Sequence, residues 1–462
     1  MRKGAAAVLK LLFFVLIWSV VPIMAVMMCN EAKPKKGIIL GVTLPYTAQH
    51  DARVLDILRR FKRAEWLWVL IETAAWLPLH FFGGEGMAIG VMCVMFIPMI
   101  LGPYIIYARA NKKLRALKAA EDWATPYSGG MVIDLKAAAE PPRPVKRWLF
   151  VPPIIIALVP GILALTTDVG EGERLGGLIF SASFAVVGIV CLLLYPLIYR
   201  QRGDVAGDDS DLNATLTRVR RYNWFKMLLG TTYMTVFFSL AFWLLRDNDM
   251  WTMIVSVVFM AALIGFCMAT EFAVRHAQER LTAGERSGYV DEDDLWLWGL
   301  FYNNPGDRHL FINDRTGSGM GVNVGRPAGK LIIIGTAVLL IGLAVFGLTM
   351  AAGFDAPREG YIEDGTLYFQ HFSEKYEIAL DDIESVELLD ELPEARRIAG
   401  TGMSTLLEGR FTVEGYENVR ISLNPQEPPF IAITTTDTAR IFSLETPEET
   451  AAFYEEILEA VA

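Results

Sequence analysis

Glu72 is a carboxylate set inside an apolar run, and its chemistry demands an account before anything else in the chain. It stands about 9 Å into the helical stretch that begins at Trp66, with His80 two turns further on. A carboxyl group at such depth is costly, and it faces either a bundle interior or water. Two readings follow. Glu72 and His80 form an intramembrane polar site for a proton, a cation or a ligand, or Glu72 is a protonated acid hydrogen-bonded to a neighbouring helix. The second candidate is an aromatic and polar segment, Trp296, Trp298, Phe301, Tyr302, Asn304 and Asp307, extended by Arg326. Its Asn303-Asn304-Pro305-Gly306-Asp307 core reads as a turn. These residues are either a docking surface for a partner or a structural plug at the membrane interface.

Other chemistry is missing from the residue patterns. There is no HExxH, no GxSxG and no P-loop, and the five histidines are scattered. The run Gly317-Ser318-Gly319-Met320-Gly321 lacks the Gly-Lys-Ser/Thr ending of a phosphate loop, so it reads as a packing turn. Cys29, Cys93, Cys191 and Cys267 lie in or at the end of apolar runs without paired spacing. The chain is therefore expected to be no enzyme, to hold no metal or cofactor, and to bind no nucleic acid.

The elements that position these residues are membrane helices. Hydrophobic residues make up 53% of the 462, and mean hydropathy is +0.35. Unbroken apolar runs of about 20 residues can satisfy their amides in lipid only as helices. The expected spans are about 6–29, 66–83, 87–107, 148–167, 177–199, 223–245, 250–271 and 331–352. The first follows Arg2 and Lys3 and reads as a retained helix, since its run exceeds a signal-peptide core. Pro22, Pro78, Pro98, Pro103, Pro153, Pro160 and Pro196 mark expected kinks. Loops 30–64, 108–147, 200–222 and 272–330 carry 29 Lys and Arg, against 5 at the opposite side. The positive-inside rule then puts the long loops in the cytoplasm and both termini outside. Arg2 and Lys3 pull the other way.

From residue 353 the chain changes character. Residues 353–462 hold 24 acidic and 7 basic side chains, a net −17. Strands are expected at 361–364, 366–372, 377–379, 383–389, 409–413, 419–423, 430–435 and 439–444, with Asp364-Gly365 as a hairpin turn. Thr446, Pro447 and Glu449 form a capping box for a last helix whose apolar face is Phe453, Ile457, Leu458 and Val461. The fold class expected is a mainly α membrane bundle of about eight spans, residues 1–352, with an interfacial module at 284–330. A small β-barrel-like domain with one terminal helix follows at 353–462.

Three resemblances can be attached to particular residues. The tail, with Asp381-Asp382-Ile383, Gly409-Arg410-Phe411, Pro429-Phe430-Ile431 and the closing helix, resembles the bacterial pleckstrin-homology domain. Leu295–Lys330 resembles an uncharacterised domain of bacterial, chiefly Firmicutes, membrane proteins. Ile39-Leu40-Gly41-Val42-Thr43-Leu44-Pro45, with Arg59-Arg60, is similar to the N-terminal module of a second membrane family, one that includes immunity proteins against the sporulation-delaying toxin. None brings a catalytic residue. A phosphoinositide reader needs clustered Lys and Arg, so a domain at −17 is expected to meet a protein or peptide, or to pack on its own membrane domain, rather than to bind a headgroup. The expected function is non-enzymatic sensing, immunity or scaffolding in the lipid bilayer. The alternative is an ion-coupled transporter or channel using Glu72. A homo-oligomer is compatible with either.

Overall fold

The computed structural model describes residues 18–82, 85–123, 127–128, 134–139, 146–167, 171–199, 203–206, 208–246, 248–283, 290–317, 319–436 and 438–461. Among the described residues, six helical stretches are long and apolar enough to cross a membrane: Gly86–Ala120, Arg147–Thr166, Arg174–Pro196, Ser210–Leu244, Met250–Thr282 and Pro327–Phe354. Each coincides with an expected span. Of the other two spans, the first half of 6–29 lies outside the described residues and its second half contains the short helix Val20–Asn30. Span 66–83 is the second half of a long helix that is not among these six.

In chain order the helices are α1 (Val20–Asn30), α2 (Ala52–Phe82), α3 (Glu85–Ala120), α4 (Leu135–Ala139), α5 (Val151–Ile156), α6 (Val159–Thr166), α7 (Glu171–Tyr199), α8 (Ser210–Leu244), α9 (Asp249–Thr282), α10 (Pro327–Phe354) and α11 (Pro447–Val461). The span expected at 148–167 is not one helix. It breaks between α5 and α6 at Ala157-Leu158, because Pro160 cannot donate to the preceding turn. Ser181 Oγ of α7 donates to the Ala157 carbonyl at 2.5 Å, supplying a partner at the break. Pro78, Pro98, Pro103 and Pro196 lie inside continuous helices.

Helix packing falls into two bundles, α1, α2, α3 and α10 in one and α5 to α9 in the other. In the first, α10 runs antiparallel to α3 along small residues. Cβ atoms added at Gly90 and Gly347 would fall 2.7 Å from the Ala351 Cβ and 2.3 Å from the Cys93 Cβ. Such small faces let backbones meet where lipid gives no hydrophobic drive. The outward side of α10 is greasy, with Leu331, Val338 and Leu339 exposed, as a lipid-facing surface requires. In the second bundle, aromatic rings fill the α7–α8–α9 seam. Phe180 stacks on Phe242 at 4.7 Å and Phe238 on Phe259 at 4.2 Å between ring centroids.

Residues from Glu359 onward form a sheet domain. Strands β9 (Glu359–Glu363), β10 (Thr366–His371) and β11 (Glu374–Ala379) make one antiparallel sheet. The second sheet has the order β12-β16-β17-β15-β14-β13 and joins β12 (Ile383–Leu389), β13 (Ala395–Gly402), β14 (Leu407–Val413), β15 (Tyr416–Leu423), β16 (Phe430–Thr435) and β17 (Ala439–Phe442). Strand β13 was not expected from the sequence. Arg396, Arg397 and Gly400 lie on an exposed sheet edge, where no alternation of apolar residues is required. The Asp364-Gly365 turn has φ values of 49° and 75°, the doubly positive pair of a type I′ hairpin. Thr446 Oγ1 accepts from the Glu449 amide at 3.2 Å and so caps α11. Phe453 and Ile457 of α11 pack into a core with Leu367, Phe369, Ile433 and Phe442.

Candidate functional site

Helices α3, α8 and α9 have 36, 35 and 34 residues, far more than a bilayer needs. Their surplus lies at the basic end, where it carries Asn111, Arg115, Lys118, Arg220, Arg275 and Gln278 out to meet the connecting segments. The result is a polar junction joining the two helical bundles.

Two tight hairpins form its centre. β1 (Ile38–Ile39) and β2 (Val42–Thr43) turn at Leu40-Gly41, with φ of 46° and 69°. β5 (Trp296–Leu297) and β6 (Phe301–Tyr302) turn through Trp298-Gly299, with φ of 53° and 72°. The turns touch: a Cβ on Gly41 would fall 2.7 Å from the Gly299 Cα, so neither position has room for a side chain. Asn111 of α3 donates to the Leu40 carbonyl at 2.7 Å and fixes the pair to the bundle. Two segments far apart in sequence thus dock backbone to backbone.

Three knots of buried charge hold the surrounding chain. Asp293 accepts from the Thr43 amide at 3.0 Å, from Arg315 at 2.9 Å and from Lys118 at 2.8 Å. Lys118 also reaches Asp291, and Arg115 donates to the Asp293 and Trp296 carbonyls. Asp204 takes Lys36 at 2.5 Å and Arg220 at 2.9 Å, linking the first loop to α8. Glu31 pairs with Arg275 of α9, which pairs again with Glu271. Gly317, at φ 76°, lies so close to these groups that an added Cβ would be 2.0 Å from Glu271 Oε1. The glycine-rich turn is therefore a packing surface against α9, and the carboxylate beside it is unsuited to phosphate.

Burial alone would push the Asp293 carboxyl up, but the Arg315 guanidinium and the Lys118 ammonium outweigh it and hold it below the usual carboxylate range. Lys35 differs. It is 1% exposed and donates to the Asn30 and Lys33 carbonyls, and burial pushes its ammonium down to about 8.

Between the knots lies a small cleft of about 40 Å³, lined among others by Lys36, Asp204, Glu292, Trp296, Asp314 and Arg315. It has room for a few waters, since about 10–15 Å³ holds one, but not for a metabolite, whose sites run to about 300–1,000 Å³. The indole Nε1 of Trp296 has no hydrogen-bond partner among the described residues. No group of three or more His, Cys, Asp or Glu able to hold a metal occurs among the described residues.

The structure separates the residues expected to form a docking surface. Trp296, Tyr302 and Asp307 lie inside the module: the Trp296 and Tyr302 rings meet edge-on at 5.3 Å, and Tyr302 Oη bonds Asp307 at 3.2 Å. Asn304 Nδ2 donates to Tyr302 Oη, and its carbonyl accepts from Asn323. Arg326 is half-buried and donates to the Arg308 carbonyl. Only Trp298 among the six stands out, at 58% exposed. Glu72 is buried, and the His80 side chain lies outside the described residues.

Reasoning from sequence missed Glu65, which is also buried, and the whole charged junction. The signals were present in the acidic run Asp291-Glu292-Asp293-Asp294 and in the seven-residue spacing from Glu65 to Glu72. Pairing them required the tertiary fold.

At the opposite end the sheet domain sits on both bundles. The Phe372 ring fills the space beside Gly353 of α10, where an added Cβ would fall 2.1 Å from it, and it meets Phe354 edge-on at 5.4 Å. Strand β13 touches α7. No curated protein and no solved structure matches the chain. Residues 358–460 match the family model described as the bacterial PH domain.

Proposed function

We infer that this is a non-enzymatic protein of the bacterial cell membrane that senses or scaffolds by joining two partner-binding modules across the bilayer. The observation that carries this reading is α10. At its start, a Cβ on Gly329 would lie 1.9 Å from the Asn323 carbonyl oxygen, so the helix is seated on the 290–326 module. At its end Gly353 receives Phe372 of the PH domain. One helix of 28 residues, about 42 Å long, thus touches both modules without a flexible linker. The net charge of −17 on residues 353–462 favours a basic protein or peptide over an anionic headgroup. The likeness of the first loop to a family containing immunity proteins supports a protective or sensing role. The docking of that loop on the 290–326 module supports the two acting as one unit.

The test is capture of binding proteins by the detergent-extracted full chain, by a form lacking residues 358–460, and by Gly353→Leu, which unseats Phe372. The expected result is loss of specific partners on deletion and weakened capture with Gly353→Leu. An unchanged partner set in both would refute the reading.

A further inference from the structure

Glu65 and Glu72 occupy one face of α2, two turns and about 10 Å apart along the helix axis. Glu65 is 0% exposed and Glu72 is 2% exposed; none of their four carboxyl oxygens makes a well-formed hydrogen bond among the described residues, although the Trp68 indole lies beside Glu72. Val69, between them on the same face, packs with Val21 and Ala25 of α1 and with Met99 of α3. Met99 belongs to a candidate membrane span, so Val69, between the two carboxyls, lies alongside that span, although α2 is not itself among the six helices apolar enough to cross.

An ionised carboxylate with no partner in such a place costs several kcal/mol even after relaxation, roughly the penalty for any buried ion. The charge must be cancelled by something bound. A metal cation needs about six oxygen ligands, whereas Val69 between the carboxyls is packed by Phe96, Met99 and Ile100, and the group beside Glu72 is the Trp68 indole. Two carboxyls about 10 Å apart cannot share one ion. A proton needs one oxygen, and each carboxyl can hold its own.

The charged neighbours of the pair lie at the junction end. Cys29 of α1 and Lys62 of α2 are within electrostatic reach of each other, and Glu65 acts on the same Cys29. Beyond them Lys35 is acted on by Lys62, Lys33, Glu271 and Glu279. From α3 the neighbours of this face are apolar. We propose that Glu65 and Glu72 are a proton-binding pair within the helical bundle, loaded from the junction face, Glu65 first and Glu72 from it through water that enters between them, since about 10 Å is beyond a direct hop. This is independent of partner binding by the two modules.

The experiment uses the full chain in phospholipid vesicles with the pH clamped separately on each side. Dicyclohexylcarbodiimide adds to protonated carboxyls in apolar surroundings as an N-acylurea, which mass spectrometry locates. At neutral pH both glutamates are expected to be labelled. Raising the pH on the junction side before the reagent is added is expected to prevent labelling of both, and raising it on the PH-domain side is not. In Glu65→Gln the response of Glu72 to junction-side pH is expected to slow at least tenfold, while Glu65→Asp keeps it. Four results would overturn the proposal: no label at neutral pH, a response only to the PH-domain side, a wild-type response in Glu65→Gln, or protection by Na⁺ or K⁺ at fixed pH.

Discussion

Asp293 carries more of the junction than any other side chain, because it receives Lys118, Arg315 and the Thr43 amide at once. Removing one partner of a buried pair costs about 3–5 kcal/mol, as the remaining charge stays buried without its counter-ion. Lys118 keeps Asp291, so Arg315 is the group that Asp293→Ala would orphan. A marked fall in apparent melting temperature of the detergent-solubilised chain is expected, with Asp294→Ala as a control of near-zero effect. The same carboxyl sets an acid limit. Its folded pKa is depressed, so its stabilisation is complete above the unfolded value, roughly 3.9, and is lost as pH falls through the folded one. Melting temperature measured from pH 6 downward should therefore drop below about pH 4. In Asp293→Asn this carboxyl's share of the drop should be absent, and an identical acid profile would remove Asp293 from the explanation.

The contact of α3 with α10 is decided at the level of the helix. Gly347 and Gly90 face the partner helix, whereas Gly335 and Gly342 of the same α10 meet nothing within 4 Å of an added Cβ. One helix thus supplies a test and its control. Gly347→Leu drives a side chain into Cys93 and should destabilise by about 1–3 kcal/mol or more. Gly335→Ala should be neutral or slightly stabilising, through helix propensity. Equal melting temperatures for Gly347→Leu and the wild type would mean that the two helices do not pack along this face. Helix identity was legible from apolar run length, but the break at Ala157-Leu158 was not. Pro153 and Pro160 predict a disturbance there, whereas Pro98 and Pro103 have the same local chemistry inside an unbroken α3. Local sequence therefore does not separate a kink from a break.

Across the whole molecule, charge is segregated by end. The basic helix extensions and loops gather at the junction, and the acidic PH domain sits on Phe354 at the other end. With the positive-inside rule this predicts a cytoplasmic junction and an outward PH domain. Lys112→Cys on α3 and Glu459→Cys on α11 are both at exposed positions. A membrane-impermeant maleimide applied to intact cells should label Glu459→Cys and spare Lys112→Cys. The opposite pattern would invert the topology and leave the antiparallel packing intact.

The sequence by itself determined the apolar helices, the acidic strand-rich tail and the capped final helix. Each is dictated by run length, period or end chemistry within a few residues. It also exposed Glu72, since a carboxylate in an apolar run is visible without coordinates. Tertiary structure alone decided that Gly41 meets Gly299, that Asp293 gathers cations from two separate segments, and that Trp296 and Tyr302 form a core rather than a surface. The first of these contacts joins residues 258 positions apart, and burial of a polar aromatic segment depends on what docks over it, which no local pattern encodes.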